Sequence, residues 1–275
     1  VSTKLGEVFD PAPQDLVLTI LGAHLRPRDR TTVWSGGLVS LLVEFGFTPG
    51  AARVALTRLV QRDLLERVRD GRMVHYRLTD RAAAVLVDGD RRIFTVGTGV
   101  DPARGQWTVL WHAIPEEQRV ARTRLVRRLR FLGFGPVQDG TWLAPRDRVA
   151  EVDALLADLG VTAHAGVLLG APAGAGDFAD FARRVWDLAA LAARYEAFVA
   201  EFAPAREPVD DPRTAFHLRV RLIHVYRQFA TLDPELPEDL VPAPPHRAAA
   251  VALFHDAYPV LAAPAQHHFD EAMKP

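Results

Sequence analysis

The stretch Thr48-Pro-Gly-Ala-Ala-Arg-Val-Ala-Leu-Thr-Arg-Leu-Val-Gln-Arg62, followed by Leu64-Leu-Glu-Arg-Val-Arg-Asp-Gly-Arg-Met-Val-His-Tyr-Arg-Leu78, decides the fold. Thr48 carries the hydroxyl of a helix N-cap, and Pro49 falls at the first helical position, where its missing N–H costs nothing. At about 100° per residue, Ala52, Ala55, Leu56, Leu59 and Val60 share one face. Gly50, Arg53, Val54, Thr57, Arg58 and Gln61 share the other. That second face suits a DNA major groove: arginine pairs with the two acceptors of guanine, glutamine with adenine, and a methyl group touches thymine. An ordinary amphipathic helix with a solvated surface would carry the same pattern, so the next segment decides. Leu64 to Arg69 alternates, Asp70-Gly71 is expected as a two-residue turn with both residues at positive φ, and Arg72 to Leu78 alternates back. Arg67, Arg69, Arg72 and Arg77 crowd this small ribbon. Like charges facing one another weaken a hairpin. The expected partner is therefore a polyanion, met at its phosphate backbone or in a minor groove.

Working outward, Gln14 to Leu25 is apolar nearly all round and reads as a buried support helix. Gly37 to Glu44 is a second helix, stopped at Phe45-Gly-Phe47 with Gly46 as its C-cap. Thr79-Asp80 caps a further helix through Leu86. Two helices, a recognition helix and a basic ribbon form a winged helix-turn-helix. One such head reads only a few base pairs, so a homodimer on a near-palindromic double-stranded DNA operator is expected. The formal net charge of the whole chain is −1, yet residues 15–81 carry eleven arginines against seven acids. Lys4 and Lys274 are the only lysines, so arginine abundance also reflects a GC-rich genome and weakens any argument from arginine counts alone.

At 275 residues, two or three domains are expected. The absence of cysteine excludes disulfides and thiolate chemistry. No apolar run reaches the roughly 18–20 residues that span a bilayer, and no charged-then-apolar leader begins the sequence. The expectation is a cytoplasmic protein that does not engage a membrane. Val1 to Pro13 lacks periodicity and reads as a frayed tail.

After a linker-like stretch from Thr95 to Gly105, Gln106 to Ile114 reads as a strand. Pro115 opens a helix to Phe131 that is rich in arginine (Arg119, Arg122, Arg124, Arg127, Arg128 and Arg130). It stops at Gly133-Phe-Gly135. Gly135 to Ala144 reads as a hairpin, Arg146 to Leu159 as a helix and Val161 to Leu169 as a strand. The order β-α-β-β-α-β is that of a ferredoxin-like α+β domain. Its basic helix is suited to DNA or an anionic ligand, or to a solvated surface. Ala171 to Gly176 is a linker. Asp177 to Phe202 reads as one long helix, Thr214 to Thr231 as a second, Asp233 to Pro245 as a proline-rich connector and His246 to Ala262 as a third helix. The fold class is α+β, with a winged helix-turn-helix over 1–96, a ferredoxin-like middle domain over 104–170 and an all-helical domain over 177–275.

Neither a catalytic nor a metal site is expected. His267-His268 with Asp270 and Glu271 is the best metal-like cluster, but adjacent residues on a helix diverge by about 100°. Gly-x-Ser-x-Gly, His-Glu-x-x-His and a phosphate-binding glycine loop are all missing. The chain is thus expected to be no enzyme and to need no cofactor.

Several segments, in order, resemble a known family. In the head they are Phe45-Gly-Phe47, Ala52 to Val60, Gly71 to Thr79 and Asp90-Arg-Arg-Ile-Phe94. In the middle they are Trp107, Trp111, the arginine run Arg122 to Arg130, Gly133-Phe-Gly135 and Trp142 to Pro145. The C-terminal third adds Trp186-Asp-Leu188, Tyr195, Phe198, Arg219, Leu222 to Arg227, Asp233-Pro-Glu-Leu-Pro237 and Leu240-Val-Pro242. Together they resemble the PaaX-type repressors of phenylacetic acid catabolism. The family's usual tryptophan before the last helix is replaced here by Pro245-His246. The middle block is similar to Cas2 proteins, some of which are metal-dependent nucleases using an acid on the first strand. Here Thr108, Leu110 and His112 hold the alternate positions, so that activity is not carried over.

The resemblance implies a transcriptional repressor whose helical domain dimerises and binds an aryl-acetyl coenzyme A thioester, typically phenylacetyl-CoA, which releases the DNA. Such an effector needs an apolar slot and cations for its phosphates. Trp186 and Tyr195 are the candidates for the slot; Arg219, His224 and Arg227 are those for the phosphates. The alternatives are core packing for the two aromatics, and ion pairs to Asp233 or Glu235 for the two arginines. Two rival functions stand beside the repressor: a metal-dependent nuclease built on the Cas2-like block with the head only positioning it, and a protein–protein adaptor.

Overall fold

Helix α1 (Pro13–His24) buries Leu16, Val17, Ile20 and Leu21 completely or nearly so, as its all-round apolar pattern requires. Helix α2 (Ser35–Glu44) buries Leu38, Leu41 and Leu42, and α3 (Pro49–Gln61) buries Ala52, Ala55, Leu56 and Leu59. The computed structural model describes residues 9–25, 31–98, 106–171, 178–238 and 241–275. The first eight residues of the expected tail, Arg26, Arg28 and Arg30, most of the linker over 99–105, the linker over 172–177 and Leu240 lie outside the described residues. Residues 9–13 do not fray. The Phe9 ring packs 6.0 Å from that of Phe45 and edge-on to His224 at 5.3 Å, and Pro13 already starts α1.

A three-residue strand β1 (Thr32–Trp34), absent from the sequence-based reading, pairs antiparallel with β3 (Met73–Leu78), which pairs with β2 (Leu65–Asp70). The sheet order is β1-β3-β2. The hairpin register sets Asp70 opposite Met73, so the two loop residues are Gly71 and Arg72 rather than Asp70 and Gly71. Only Gly71 has positive φ (58°), which fits a loop with glycine at its first central position. Helix α4 (Asp80–Thr95) runs nine residues beyond the expected end at Leu86, with the Thr79 hydroxyl accepting from the Ala82 amide at 3.2 Å.

The middle of the chain is β4 (Trp107–His112), a 3-10 turn, α5 (Arg119–Phe131), β5 (Gly135–Gln138), β6 (Thr141–Ala144), α6 (Val149–Asp158), a second 3-10 turn and β7 (Ala165–Gly170). The sheet order β5-β6-β4-β7 with antiparallel neighbours is the ferredoxin-like arrangement. One sheet face puts Leu110 and Trp142 against Leu125, Leu129, Val152 and Leu156 of the two helices. The other packs Trp107 and Leu143 on Ala182, Val185 and Trp186. Gly135 is required at that contact, because a Cβ there would collide with the Val185 and Trp186 side chains.

The expected long helix over Asp177–Phe202 is two helices, α7 (Phe178–Val185) and α8 (Leu188–Phe202). Asp187 makes the break: its carboxylate accepts from the Ala190 amide at 2.9 Å, an N-cap inside what reads as a continuous apolar pattern. The expected helix over Thr214–Thr231 is α9 (Pro212–Tyr226), capped by Asp211, and a short α10 (Phe229–Leu232). After α11 (Arg247–Val260) the chain continues into a helix the sequence did not reveal, α12 (Ala262–Ala272). Among the described residues, no single helix is long and apolar enough to cross a membrane.

Two compact units result. The first draws on Val1–Phe94, Ala197–Arg227 and Ala249–Pro275; the second on Thr95–Glu196 and Gln228–Ala248. In the first, α1 and α2 of the head pack on α9 and α12. His24 stacks on Phe269 at 5.1 Å and bonds Gln266 at 3.1 Å. Gly37 of α2 lies so close to the backbone at Ala272 that no side chain fits there.

Candidate nucleic-acid interface

Thr48 caps α3 as its sequence implies, its hydroxyl accepting from Ala51 at 3.2 Å. With Ala52, Ala55, Leu56 and Leu59 seated on α1 and α2, the opposite face is fixed outward. Gly50, Arg53, Val54, Thr57, Arg58 and Gln61 are all exposed, Val54 to 50%. Thr57 donates back to the Arg53 carbonyl at 3.0 Å, which sets its rotamer. Among the described residues, Arg53, Arg58 and Gln61 have no hydrogen-bond or ion-pair partner, so their donors are available.

The junction to the wing is closed by hydrogen bonds. Asp63 takes a left-handed φ of 54°, the Leu64 amide reaches back to the Leu59 carbonyl at 2.9 Å, and the Asp63 amide to Val60 at 3.0 Å. This double bond pattern is a Schellman cap with aspartate where glycine is usual. Thr79 donates to the Asp63 carbonyl at 2.9 Å, tying the far end of the hairpin to the same point.

In the wing, Arg67 and Arg69 project from one face and Arg72 sits in the loop, all exposed. The arginines do not oppose each other: Arg67 faces Tyr76, Arg69 faces Val74 and Arg77 faces Glu66. The expected direct facing of like charges is therefore absent. Arg77 is committed to Glu66 at 2.6 Å, which raises its pKa, whereas Arg67, Arg69 and Arg72 have no acid partner among the described residues.

The effector candidates fall in both units. In the second, Tyr195 is fully buried, stacks on Phe229 at 4.0 Å and donates to Asp233 at 2.7 Å. Trp186 is buried beside Trp107, ring centres 6.2 Å apart. In the first, Arg219 is buried, bonds the Tyr258 carbonyl and lies 3.7 Å over the Tyr258 ring. His224 meets the Thr19 hydroxyl at 3.0 Å; burial, with the Arg227 charge, pushes its pKa down to about 3, so the ring is neutral. Arg227 is half-buried without a hydrogen-bonded acid among the described residues, and burial lowers its pKa against the weaker pull of Asp15.

Asp233 and Glu235 are occupied by residues the sequence did not single out. Arg247 lies 3.1 Å from Asp233 and 3.0 Å from Glu235, and Arg146 lies 2.9 Å from Glu235. Glu235 also accepts from the Gly97 amide at 2.8 Å. A second missed cluster centres on Glu44 at the end of α2, which meets Arg213 at 3.0 Å, His217 at 2.9 Å and His268 at 3.1 Å. Burial raises the Glu44 pKa, but these donors outweigh it and hold the carboxyl below its usual range. No sequence signal marks partners separated by more than 160 residues.

On the ferredoxin-like sheet, Thr108 is buried, donating to the Arg146 carbonyl at 2.9 Å and accepting from the Arg148 amide at 2.8 Å. His268 is turned to Glu44, while Asp270 accepts from Gln266 and Glu271 from Lys274. Among the described residues, no group of three or more His, Asp or Glu is placed to hold a metal.

These features define a winged helix-turn-helix protein fused to a ferredoxin-like domain. Family models match the chain in three consecutive blocks: a PaaX-like protein over 12–82, the PaaX protein central Cas2-like domain over 101–182 and the PaaX-like protein C-terminal domain over 186–271. The chain is 31% identical over 238 residues to the transcriptional repressor PaaX of Escherichia coli (strain K12), spanning 83% of this chain and 73% of that protein. A solved structure, the uncharacterized protein Rv0674 from Mycobacterium tuberculosis, superposes with a TM-score of 0.57 at 25% identity, covering 96% of this chain and 99% of that one. The chain belongs to the PaaX family.

Proposed function

We propose that the protein is a cytoplasmic, non-catalytic transcriptional repressor that binds a near-palindromic operator as a homodimer and is released by an aryl-acetyl-CoA. The observation that carries the DNA reading is the outward face of α3, where Arg53, Arg58 and Gln61 stand exposed and uncommitted beside Val54 and Thr57. The Escherichia coli relative, named a transcriptional repressor, supports the regulatory role. Arg67, Arg69 and Arg72 act on the phosphate backbone in this reading, and Arg77 contributes through its pair with Glu66. Two copies are needed because one helix spans too few base pairs to specify a site.

What supports an anionic effector is Arg227: among the described residues it is partly buried with only the coulombic pull of Asp15 and no hydrogen-bonded acid, and a phosphate would supply a direct partner. Arg219 holds the backbone at Tyr258, and His224, being neutral, serves as a hydrogen-bonding neighbour. Trp186 and Tyr195 belong to the second unit, where their burial in aromatic packing fits the core-packing alternative.

The DNA reading is tested on the protein's own upstream region by mobility shift. Arg53→Ala or Arg58→Ala is expected to cost about 1–3 kcal/mol at a single operator base pair, the worth of one bidentate contact. Binding by both variants indistinguishable from the parent would remove α3 as the reader. Thermal-shift titration with phenylacetyl-CoA and other acyl-CoAs tests the effector, and Arg227→Gln should weaken any stabilisation found.

A further inference from the structure

Helix α5 carries six arginines and no acid in 13 residues, in a chain whose basic and acidic residues are almost equal in number. Genome composition exchanges lysine for arginine, but it does not strip a helix of acids. Arg119 and Arg122 reach Glu116 at 3.9 and 2.7 Å, whereas Arg124, Arg127 and Arg130 have no acid partner among the described residues. Arg128 is held over the Phe131 ring at 5.0 Å. Leu125 and Leu129 are fully buried, so the face bearing Arg124, Arg127 and Arg128 is fixed outward. Arginines at i, i+3 and i+4 repel one another and weaken the helix that bears them. Such a surface is relieved by an external polyanion.

We infer that α5 is a second, sequence-independent contact to the phosphate backbone of duplex DNA, separate from the recognition helix and wing. This inference rests on the proposed DNA-binding role. From Arg124 to Arg130 the charges extend about 9 Å along the axis, at 1.5 Å per residue. They lie on an exposed helix surface. A small anionic ligand is held in a concave site that buries most of its surface, whereas a polymer of phosphates needs only a cationic ridge. Guanidinium groups match phosphate geometry better than ammonium does. The contact adds affinity and leaves base preference to α3.

The test is the salt dependence of binding to a random-sequence duplex, followed by fluorescence anisotropy on the full chain. Each neutralised phosphate contributes about −0.9 to the slope of log K against log salt. The triple variant Arg124→Gln, Arg127→Gln, Arg128→Gln is expected to flatten the slope by about two to three and to lower affinity at least about tenfold near 0.1 M salt. The matching triple lysine variant should retain most of the slope, and thermal unfolding should show both variants folded. If the glutamine variant does not fold, Arg127→Gln alone, with an expected loss of about one in slope, decides. A parent with a steep slope that all glutamine variants share overturns the α5 contact while leaving the head's DNA binding intact. A parent with no salt-dependent duplex binding overturns both.

Discussion

His224 is a buried imidazole with one hydrogen bond, to Thr19, and a cation, Arg227, as its neighbour. An unfolded histidine titrates near 6.5, and this one is pushed to about 3 in the fold. Between those values the unfolded chain binds the additional proton, so stability is complete above pH 6.5 and is lost as the pH falls towards about 3. Glu44 acts in the same direction at lower pH, because its depressed pKa contributes stability above the ordinary carboxylate value that is lost on further acidification. Urea denaturation across this range should therefore show His224→Gln less stable at neutral pH but with a shallower acid dependence than the parent. Parallel curves for the two proteins would show that this ring does not govern the acid response. At this scale the exposed face of α3 was readable in advance, since exposure follows directly from apolar spacing. The partners of Glu44, Asp233 and Glu235 were not, because ion pairs across the fold leave no local pattern.

Among the elements, those with chemical punctuation were legible. Thr48-Pro49 begins α3, Gly46 and Gly133 end α2 and α5 at positive φ, and the glycine after Asp70 turns the wing. Elements without punctuation were missed. Strand β1 is too short to alternate, α7 and α8 are split by a single aspartate, and α11 and α12 are separated by Leu261 alone. The α3–wing junction shows how one residue fixes an element. Asp63 at φ 54° permits the reverse turn that aims the hairpin, and aspartate tolerates this region far better than a β-branched residue. Asp63→Val is expected to destabilise the fold by about 1–2 kcal/mol, read from the denaturation midpoint, and Asp63→Gly to be tolerated. Similar midpoints for valine and glycine would show that the cap does not hold the junction.

For the whole molecule, the α+β class and the order of elements in the middle domain followed from periodicity with its proline and glycine punctuation. The division of the core did not. The head reads in sequence as a domain of its own over 1–96. Yet His24, Gly37 and Glu44 meet α9 or α12 rather than one another. A fragment ending at residue 96 should consequently unfold with low cooperativity, whereas the full chain should show a sharp transition by circular dichroism. A fragment as cooperative as the parent would establish that the head closes its core alone.

The interleaving of Val1–Phe94 with Ala249–Pro275 in one compact unit sets a schedule during synthesis. Helices α1 to α3 are translated before α9 and α12, which complete the same unit. An abandoned or prematurely terminated translation product thus carries α1 to α3 without the α9 and α12 packing on α1 and α2. Under the proposed repressor role, operator binding is then expected only of chains translated through α12.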